Sequence, residues 1–427
     1  MAPDSRGEHT VQPAAARPGK PVVVMKFGGT SVADAAGRSA IARRVTAALE
    51  LGRAPVVVVS AMGRKGAPYA TDTLLGLVAE LPEDARERDL LAASGEVIAC
   101  VVVAHELRAE GVAALAFTGP EAGIATDGVH GAAAITEIHP GALFSAIGSG
   151  QVPVVAGFQG IAEDGRLTTL GRGGSDTTAC ALGVALGAEA VEIYTDVDGI
   201  MTADPRVCDG ASVLETIGAD ELFQMARTGS RVVHTPAAEL ALASGLAVRV
   251  RNTFTDHEGT LVADIGAYRP DSVATAISHA AGISRVRATL PAGEGTADHM
   301  LAQAHLYRAM ADAGVSLDMF TPVGETLVFT VASEAVPCAR EVLIRLGLDY
   351  EVHEGLAKVT LVGAGMHGVP GVMARVAEYL GDVGVDVLQT ADSHTTISVL
   401  VPAESVDAAV AALHQGFGLG SSIPTRR

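Results

Sequence analysis

From Pro21 to about Asp264 the chain alternates short continuous apolar runs with longer stretches whose apolar residues recur every three or four positions. Val22-Val23-Val24-Met25 is one such run, as a strand covered on both faces requires, and Val56–Val59 is a second. Between them Ile41, Val45 and Leu49, at spacing four, predict a helix from about Ala33 to Leu51. Runs at Ala113–Phe117, Val152–Phe158, Ala190–Tyr194 and Ala247–Val250 repeat the theme. Strand–helix alternation of this kind predicts an α/β domain over residues 21–264 with a mostly parallel central sheet. Ligands of such a sheet sit beyond the carboxyl ends of its strands.

Residues 265–272, with Gly266 and Pro270, read as a linker. Beyond it the pattern is weakly duplicated. Ile283–Leu290 predicts a strand, His299–Ala313 a helix, Leu317–Val331 a hairpin, Glu334–Leu346 a helix and Tyr350–His353 a last strand. A similar cycle starts at Lys358–Gly363 and continues through helix Val372–Val383, hairpin Val387–Val401 and helix Ser405–Phe417. In its first helix Val372, Val376, Leu380 and Val383 form a stripe that packing on a sheet explains. The second cycle lacks a closing strand, and Val273–Ile277 is a β-prone run left over before the first. The expectation is therefore a βαββαβ unit over 283–353 inserted into a second one built from 273–278 and 357–417, with residues 1–20 and 418–427 as tails.

Composition narrows the partners. Of 427 residues 48% are apolar and 19% charged, a globular balance, and the length suits about two to four domains. With 30 Lys and Arg against 49 Asp and Glu the net charge is −19, which argues against a nucleic-acid partner. An anionic substrate must then be met by locally placed cations and backbone amides. Cys100, Cys180, Cys208 and Cys338 lie far apart, suiting neither a zinc site nor a disulfide framework, and a reducing cytoplasm is their simplest home. The longest apolar stretch, Leu90–Ala104, is interrupted by Glu96 and reads as too short to span a bilayer; residues 1–20 hold no apolar core of a signal peptide.

Three Gly- or Asp-rich turns carry candidate chemistry. Lys26-Phe27-Gly28-Gly29-Thr30-Ser31 follows the first buried strand, and its glycines let backbone N–H groups approach an anion while Lys26 offers a compact cation. A tight turn capped by Thr30 or Ser31 fits the same residues. Gly171-Arg172-Gly173-Gly174-Ser175-Asp176 opens a helix and joins a guanidinium suited to carboxylates with a carboxylate at a helix start; Asp176 alone fits a macrodipole partner. Thr195–Arg206 holds Asp196, Asp198 and Asp204 without the spacing of an EF-hand, and a loop around a nucleotide's base and ribose fits as well as a metal loop. Glu96, in Ser94-Gly95-Glu96 of an apolar helix, is either a dipole partner or a ligand for a substrate ammonium.

Together with Ser60-Ala61-Met62-Gly63, Gly157-Phe158-Gln159-Gly160 and Arg249–Thr260, these elements stand in the order found in aspartate kinases of the amino-acid kinase superfamily, which the chain resembles from Val22 to Phe417. Arg64–Asp72 and Leu388–Thr396 look like the diaminopimelate-sensitive aspartokinase I subgroup of Bacillus-type bacteria, and the terminal duplication resembles that family's paired ferredoxin-like ACT domains. The resemblance implies ATP-dependent phosphorylation of the L-aspartate β-carboxylate, with Mg²⁺ carried on ATP, as the entry step to lysine, diaminopimelate, threonine and methionine. It places Lys26, Phe27, Gly28 and Gly29 on the ATP phosphates, with Ser60 near them. Glu96 and Arg172 would hold aspartate's ammonium and a carboxylate, helped by Thr71 or Thr73. Gly173, Gly174 and Ser175 would line the reaction centre, with Asp176 organising Lys26. Thr195, Asp196, Met201, Thr202, Asp204 and Pro205 would frame the nucleotide.

One departure concerns Gly229-Ser230-Arg231, where the family usually carries a lysine that contacts the nucleotide; Arg231 keeps the charge on a bulkier fork. Asp392, Ser393, His394 and Thr395 are candidates for an amino-acid effector site, though a polar β-turn accounts for them equally. The resemblance also implies a homodimer or larger homo-oligomer that covers sheet edges. Two rivals stand beside this reading. One is an amino-acid kinase acting on glutamate, acetylglutamate, carbamate or UMP, which the duplication and the full Gly171–Thr178 run oppose. The other is a catalytically silent sensor, opposed by the joint presence of Lys26, Glu96, Arg172 and Asp176.

Overall fold

The computed structural model describes residues 19–79, 84–229, 237, 240, 243–263, 273–291, 296–364, 366 and 369–420. Residues 1–18 of the expected first tail, the linker 265–272, Arg231 and residues 421–427 lie outside those described. The chain divides into two compact units. The first holds residues up to Ile200 with Val213–Phe223 and 231–265; the second holds Met201–Ser212, 224–230 and everything beyond 265.

An eight-stranded sheet organises the first unit. From its centre outward on one side run β1 (Val22–Phe27), β2 (Ala54–Val59), β6 (Val152–Ala156) and β3 (Ala114–Phe117). On the other side of β1 lie β9 (Ala190–Thr195), β11 (Val248–Asn252), β12 (Thr260–Ala263) and β10 (Thr216–Gly218). Only β11 and β12 pair antiparallel. Every residue of β2 is buried, the burial expected of a central parallel strand. Helices α2 (Ala35–Glu50) and α4 (Ala85–Ala109) cover one face, where Ile41, Val45, Cys100, Val103 and Leu107 pack on Met25, Phe27, Val57 and Val154. Helix α6 (Gly174–Leu186) contacts β1, β2 and β9 but takes no part in that cluster, which places it on the opposite face. A small sheet of β5 (Ile135–Ile138), β4 (Ile124–Thr126), β7 (Gln159–Ala162) and β8 (Leu167–Thr169) lies beside α4.

Two expectations need revision here. The run Leu90–Ala104 belongs to a 25-residue helix that is long and apolar enough to cross a membrane, contrary to its reading as too short. The run underestimates the helix because Arg86, Glu87, Arg88 and Arg108 extend it with charged turns. Its buried stripe, which includes Glu96, packs within the unit. The first helix begins at Ala35, capped by the Asp34 side chain on the Gly37 N–H at 2.8 Å, and is preceded by a separate four-residue turn, α1 (Gly29–Val32).

The second unit is one six-stranded antiparallel sheet. Its order is β14 (Asp318–Val323), β15 (Thr326–Ala332), β13 (Ala276–Thr289), β16 (Asp349–Val362), β18 (Thr396–Pro402), β17 (Gln389–Asp392). The strands expected separately at 273–277 and 283–290 are the two ends of β13 from Ala276, and those at 350–353 and 358–363 are the two ends of β16. Ala276–Ala281 pair with Ala357–Val362, and Arg285–Thr289 pair with Asp349–His353 across a register shift. Gly282 and Gly355, with φ of 71° and 75°, let both strands run on through the shift. Helices α8 (Thr296–Asp312) and α9 (Val336–Arg345) pack on one end; α10 (Val372–Asp382) and α11 (Val406–Gly416) pack on the other. Val372, Val376 and Leu380 are buried as their spacing predicts, whereas Val383 follows the helix end and is 47% exposed.

Residues 201–212 and 224–230, which the sequence places in the first domain, pack with the second unit. Ala203 and Cys208 enter the core formed by Val372, Leu380, Val410 and Leu413. The Thr202 carbonyl accepts the Ile277 N–H at 2.7 Å, and its hydroxyl lies 2.8 Å from His414 Nε2.

Candidate active site

The site of the first unit is built where three parallel strands end. After β1, the Gly28 N–H donates to the Tyr194 carbonyl at the end of β9, and the Gly29 carbonyl accepts the Gly63 N–H from the loop after β2 at 2.9 Å. A β-carbon on Gly29 would stand 2.6 Å from the Gly63 carbonyl and 2.7 Å from that of Ala61, so only glycine admits this crossing. Gly28, not Thr30 or Ser31, occupies the capping position of α1. The Ser31 hydroxyl instead meets Thr253 Oγ1 at 2.6 Å, so side-chain capping is not what fixes the turn. Phe27 stacks on Tyr194 with centroids 4.6 Å apart, tying β1 to β9 just below the site.

Lys26 reaches across to the start of α6. Its Nζ lies 2.6 Å from Asp176 Oδ1, both side chains nearly buried, in an ionic contact without hydrogen-bond alignment. Asp176 stands in the first turn of α6, where the helix dipole favours a carboxylate. Gly171 and Gly173, with φ of 74° and 71°, turn the chain into that helix and leave Arg172 exposed between them. Among the described residues Arg172 has no hydrogen bond or ion pair, so its fork is available to a ligand. Asp176 thus joins the Lys26 strand end to the helix opened by the Arg172 turn. Ser175 lies buried against Gly157, where a β-carbon would come within 2.8 Å of its hydroxyl. Next to Gly157, Phe158 holds φ of 70°, a conformation costing on the order of 1–3 kcal/mol for a non-glycine residue. It is held there by its N–H on Thr178 Oγ1 and by its carbonyl on the Leu170 N–H.

Glu96 faces the same loop from α4. Gly95 lets the helix lie 2.8 Å from the Tyr69 carbonyl, counted from the β-carbon it lacks. Glu96 Oε1 accepts the Ala61 N–H at 3.2 Å, while Oε2 is buried with no hydrogen-bond partner. Burial pushes the Glu96 carboxyl up to about 7 against the pull of that amide and of the Thr71 side chain. Thr71 is therefore the threonine beside Glu96. Thr73 has its hydroxyl on the Gly66 N–H at 3.0 Å and serves the loop.

The acidic turn divides. Thr195 ends β9 and Asp196 follows it; Asp196 pairs with Arg64 at 2.7 Å. Asp198 accepts from Asn252 at 2.8 Å and Thr255 at 2.6 Å, and these bonds hold its carboxyl below the usual range. Met201, Thr202, Asp204 and Pro205 belong to the second unit, with the buried Thr202 hydroxyl committed to His414 and the Ser212 N–H, and Asp204 to Arg206 at 2.7 Å. The Thr202 hydroxyl, which the family resemblance places beside a nucleotide, thus serves the packing of the second unit. Among the described residues no three His, Cys, Asp or Glu side chains gather to hold a metal ion. In the second unit, Ser393 closes the β17–β18 turn through its N–H on the Thr396 carbonyl and its hydroxyl on the Thr395 and Thr396 N–H groups.

Two buried polar residues receive no role from the sequence alone. Gln159 donates to the Ala93 carbonyl at 3.2 Å and leaves its own oxygen unpartnered. Asp89, beside Arg86, Glu87 and Arg88 at the charged start of α4, is 2% exposed and surrounded by donors. The signal that distinguishes it is its spacing of seven from Glu96, two turns along one helix face.

Strand order, glycine crossing and lysine–aspartate contact define an α/β domain whose candidate site lies at the carboxyl ends of its parallel strands. Residues 21–252 match the Amino acid kinase family and residues 351–415 an ACT domain. The chain is 42% identical to aspartokinase 1 of Bacillus subtilis over 93% of its length and 99% of that protein. It is 41% identical to the aspartokinase of Mycobacterium tuberculosis over 93% of its length and 96% of that relative. Among solved structures it superposes on E. coli aspartokinase III in complex with aspartate and ADP, with TM-score 0.73, 26% identity and coverage of 92% and 99%. The chain belongs to the aspartokinase family.

Proposed function

We propose that this protein transfers the γ-phosphoryl group of ATP to the β-carboxylate of L-aspartate, giving 4-phospho-L-aspartate, under control of an amino-acid effector bound by its second unit. The observation that carries the reading is the position of Ala61. Its carbonyl packs on the Gly29 crossing and its N–H donates to Glu96, so one residue couples a phosphate-side turn to an ammonium-side carboxylate. The complex of the E. coli relative with aspartate and ADP supports a site that takes aspartate and an adenine nucleotide.

The mechanism follows from charge. A carboxylate is already a nucleophile, so no strong general base is needed; the task is to align two anions and stabilise the transferring group. Lys26, held by Asp176, supplies the cation at the phosphoryl oxygens, and the Gly28–Gly29 turn gives them close backbone. Ser60 and Phe27 flank this turn, with Thr195 and Asp196 toward the nucleotide. Glu96 and Thr71 take the ammonium, Arg172 a carboxylate, and Gly173, Gly174 and Ser175 line the space between. Mg²⁺ carried with ATP would add positive charge at the transferring group. Arg231, Met201, Asp204 and Pro205 remain nucleotide-side candidates by family likeness. Residues 21–264 carry catalysis and 273–417 regulation, in a cytoplasmic homodimer or larger homo-oligomer; Asp392 and His394 at the hairpin tip are the effector contacts to probe first.

A coupled assay of ADP release tests the reading, with aspartate, glutamate and no acceptor as arms and candidate effectors added in turn. Aspartate-dependent turnover is expected; turnover with glutamate alone, or none with any acceptor, sinks it. Arg172→Ala should raise the aspartate KM roughly 10- to 100-fold, the size of a lost charge-assisted contact, with the ATP KM unchanged. An unaltered aspartate KM removes Arg172 from the site.

A further inference from the structure

Glu96 and the Arg172 turn come from separate parts of the chain, and something must fix one relative to the other. Asp89 has the geometry to do this. It lies two turns before Glu96 on α4, about 10 Å along the axis, and both side chains are buried. Its carboxylate collects donors from two segments. From the loop after β4 come the His130 ring, with Nδ1 at 2.7 Å, and the Gly131 N–H at 3.0 Å. From β8 come the Thr169 N–H at 3.2 Å and the Thr169 hydroxyl.

Both segments bear on Arg172. Thr169 ends β8, three residues before it. The Thr169 carbonyl accepts the Ala133 N–H at 2.9 Å, which closes the loop onto the strand. The Gly131 carbonyl lies 3.2 Å from where a β-carbon on Gly171 would stand, directly against the left-handed turn that presents Arg172. The loop is braced from within by Asp127, whose Oδ1 accepts the Val129 and Ala134 N–H groups at 3.1 and 3.2 Å.

We propose that Asp89 is a positioning residue for aspartate recognition: by binding Thr169, His130 and Gly131 it anchors the Arg172 turn to the helix that carries Glu96. This rests on the reading that Glu96 and Arg172 hold aspartate. A buried carboxylate facing only donors is hard to replace, because an amide would turn an N–H toward another N–H. Misplacing the turn weakens substrate binding without touching the phosphoryl site around Lys26.

The test is a double-mutant cycle in the full-length enzyme, with KM for each substrate, kcat and Tm measured for Asp89→Asn, Arg172→Ala and the pair. Asp89→Asn should raise the aspartate KM about tenfold or more, the size of one lost charge-assisted hydrogen bond, with the ATP KM unmoved. In the Arg172→Ala background it should add little. Full additivity, or an unchanged aspartate KM in folded Asp89→Asn, overturns the inference. An unchanged aspartate KM in Arg172→Ala overturns the underlying reading instead. Should Asp89→Asn fail to fold, Thr169→Val keeps the carboxylate and removes one donor. It must show the same split at smaller size, and a folded Thr169→Val with the native aspartate KM overturns the inference equally.

Discussion

Replacing Lys26 with alanine should lower kcat by about a hundredfold or more, the loss typical when one preorganised cation or donor is removed from a transition state. The same change has a second consequence that a careless assay would confuse with the first. Lys26 and Asp176 lie 2.6 Å apart with side chains 13% and 11% exposed, so removing the lysine strands a buried carboxylate. Breaking a buried pair from one side costs about 3–5 kcal/mol of stability. The two effects separate in the double variant Lys26→Ala/Asp176→Asn. Neutralising Asp176 should restore much of the lost Tm while kcat stays low, because nothing then faces the phosphoryl oxygens. Lys26→Arg should keep the ion pair and recover only part of the rate, since a planar fork does not place charge as a compact ammonium does. Near-normal turnover in folded Lys26→Ala, measured as aspartate-dependent ADP release, would remove Lys26 from the chemistry.

How far the sequence carries this picture depends on which force sets each feature. Runs such as Val56–Val59 announce themselves because a strand buried on both faces has no room for polar residues. β1 runs two residues beyond its apolar run, to Phe27, because Lys26 extends the strand into the site rather than into solvent. The continuous strands of the second unit are hidden for a related reason. Gly282 and Gly355 read as breaks, yet at positive φ each absorbs a register shift while pairing goes on. Thr202, Ala203 and Cys208 show the limit of local pattern, since a turn's sequence does not say which core will take its side chains. Asp89 marks the same limit among charged residues: its neighbours Arg86, Glu87 and Arg88 belong to a solvated first turn, and only the third dimension brings Thr169 and Gly131 to it. Lys26, Glu96 and Arg172 are legible as candidates because charge at a glycine turn or in an apolar helix calls for a partner.

Glu96→Gln should make the protein more stable and nearly useless toward aspartate. Burial raises the Glu96 carboxyl from 4.5 to about 7, and its Oε2 has no partner in the described structure. A carboxyl whose folded value lies above its unfolded one holds its proton more tightly when folded. Its contribution is therefore fully favourable below about pH 4.5, and it is lost as pH rises through 7. Above that point the ionised group costs the fold about 3 kcal/mol. The glutamine variant, which keeps an acceptor for the Ala61 N–H, should match the native protein near pH 4.5 and exceed its unfolding free energy by roughly 2–3 kcal/mol at pH 8. An aspartate ammonium that pairs with the native carboxylate turns that cost into affinity. The native kcat/KM for aspartate should thus rise with pH and level off above 7, as the free enzyme loses the Glu96 proton. In Glu96→Gln this limb should vanish and the aspartate KM rise on the order of a hundredfold, the cost of leaving one partner of a buried charge pair alone. Denaturant unfolding at both pH values and a pH series of kcat/KM decide the matter. A glutamine variant that loses stability at pH 8 while keeping the native aspartate KM would show that Glu96 is held for packing, and that the substrate ammonium is bound elsewhere.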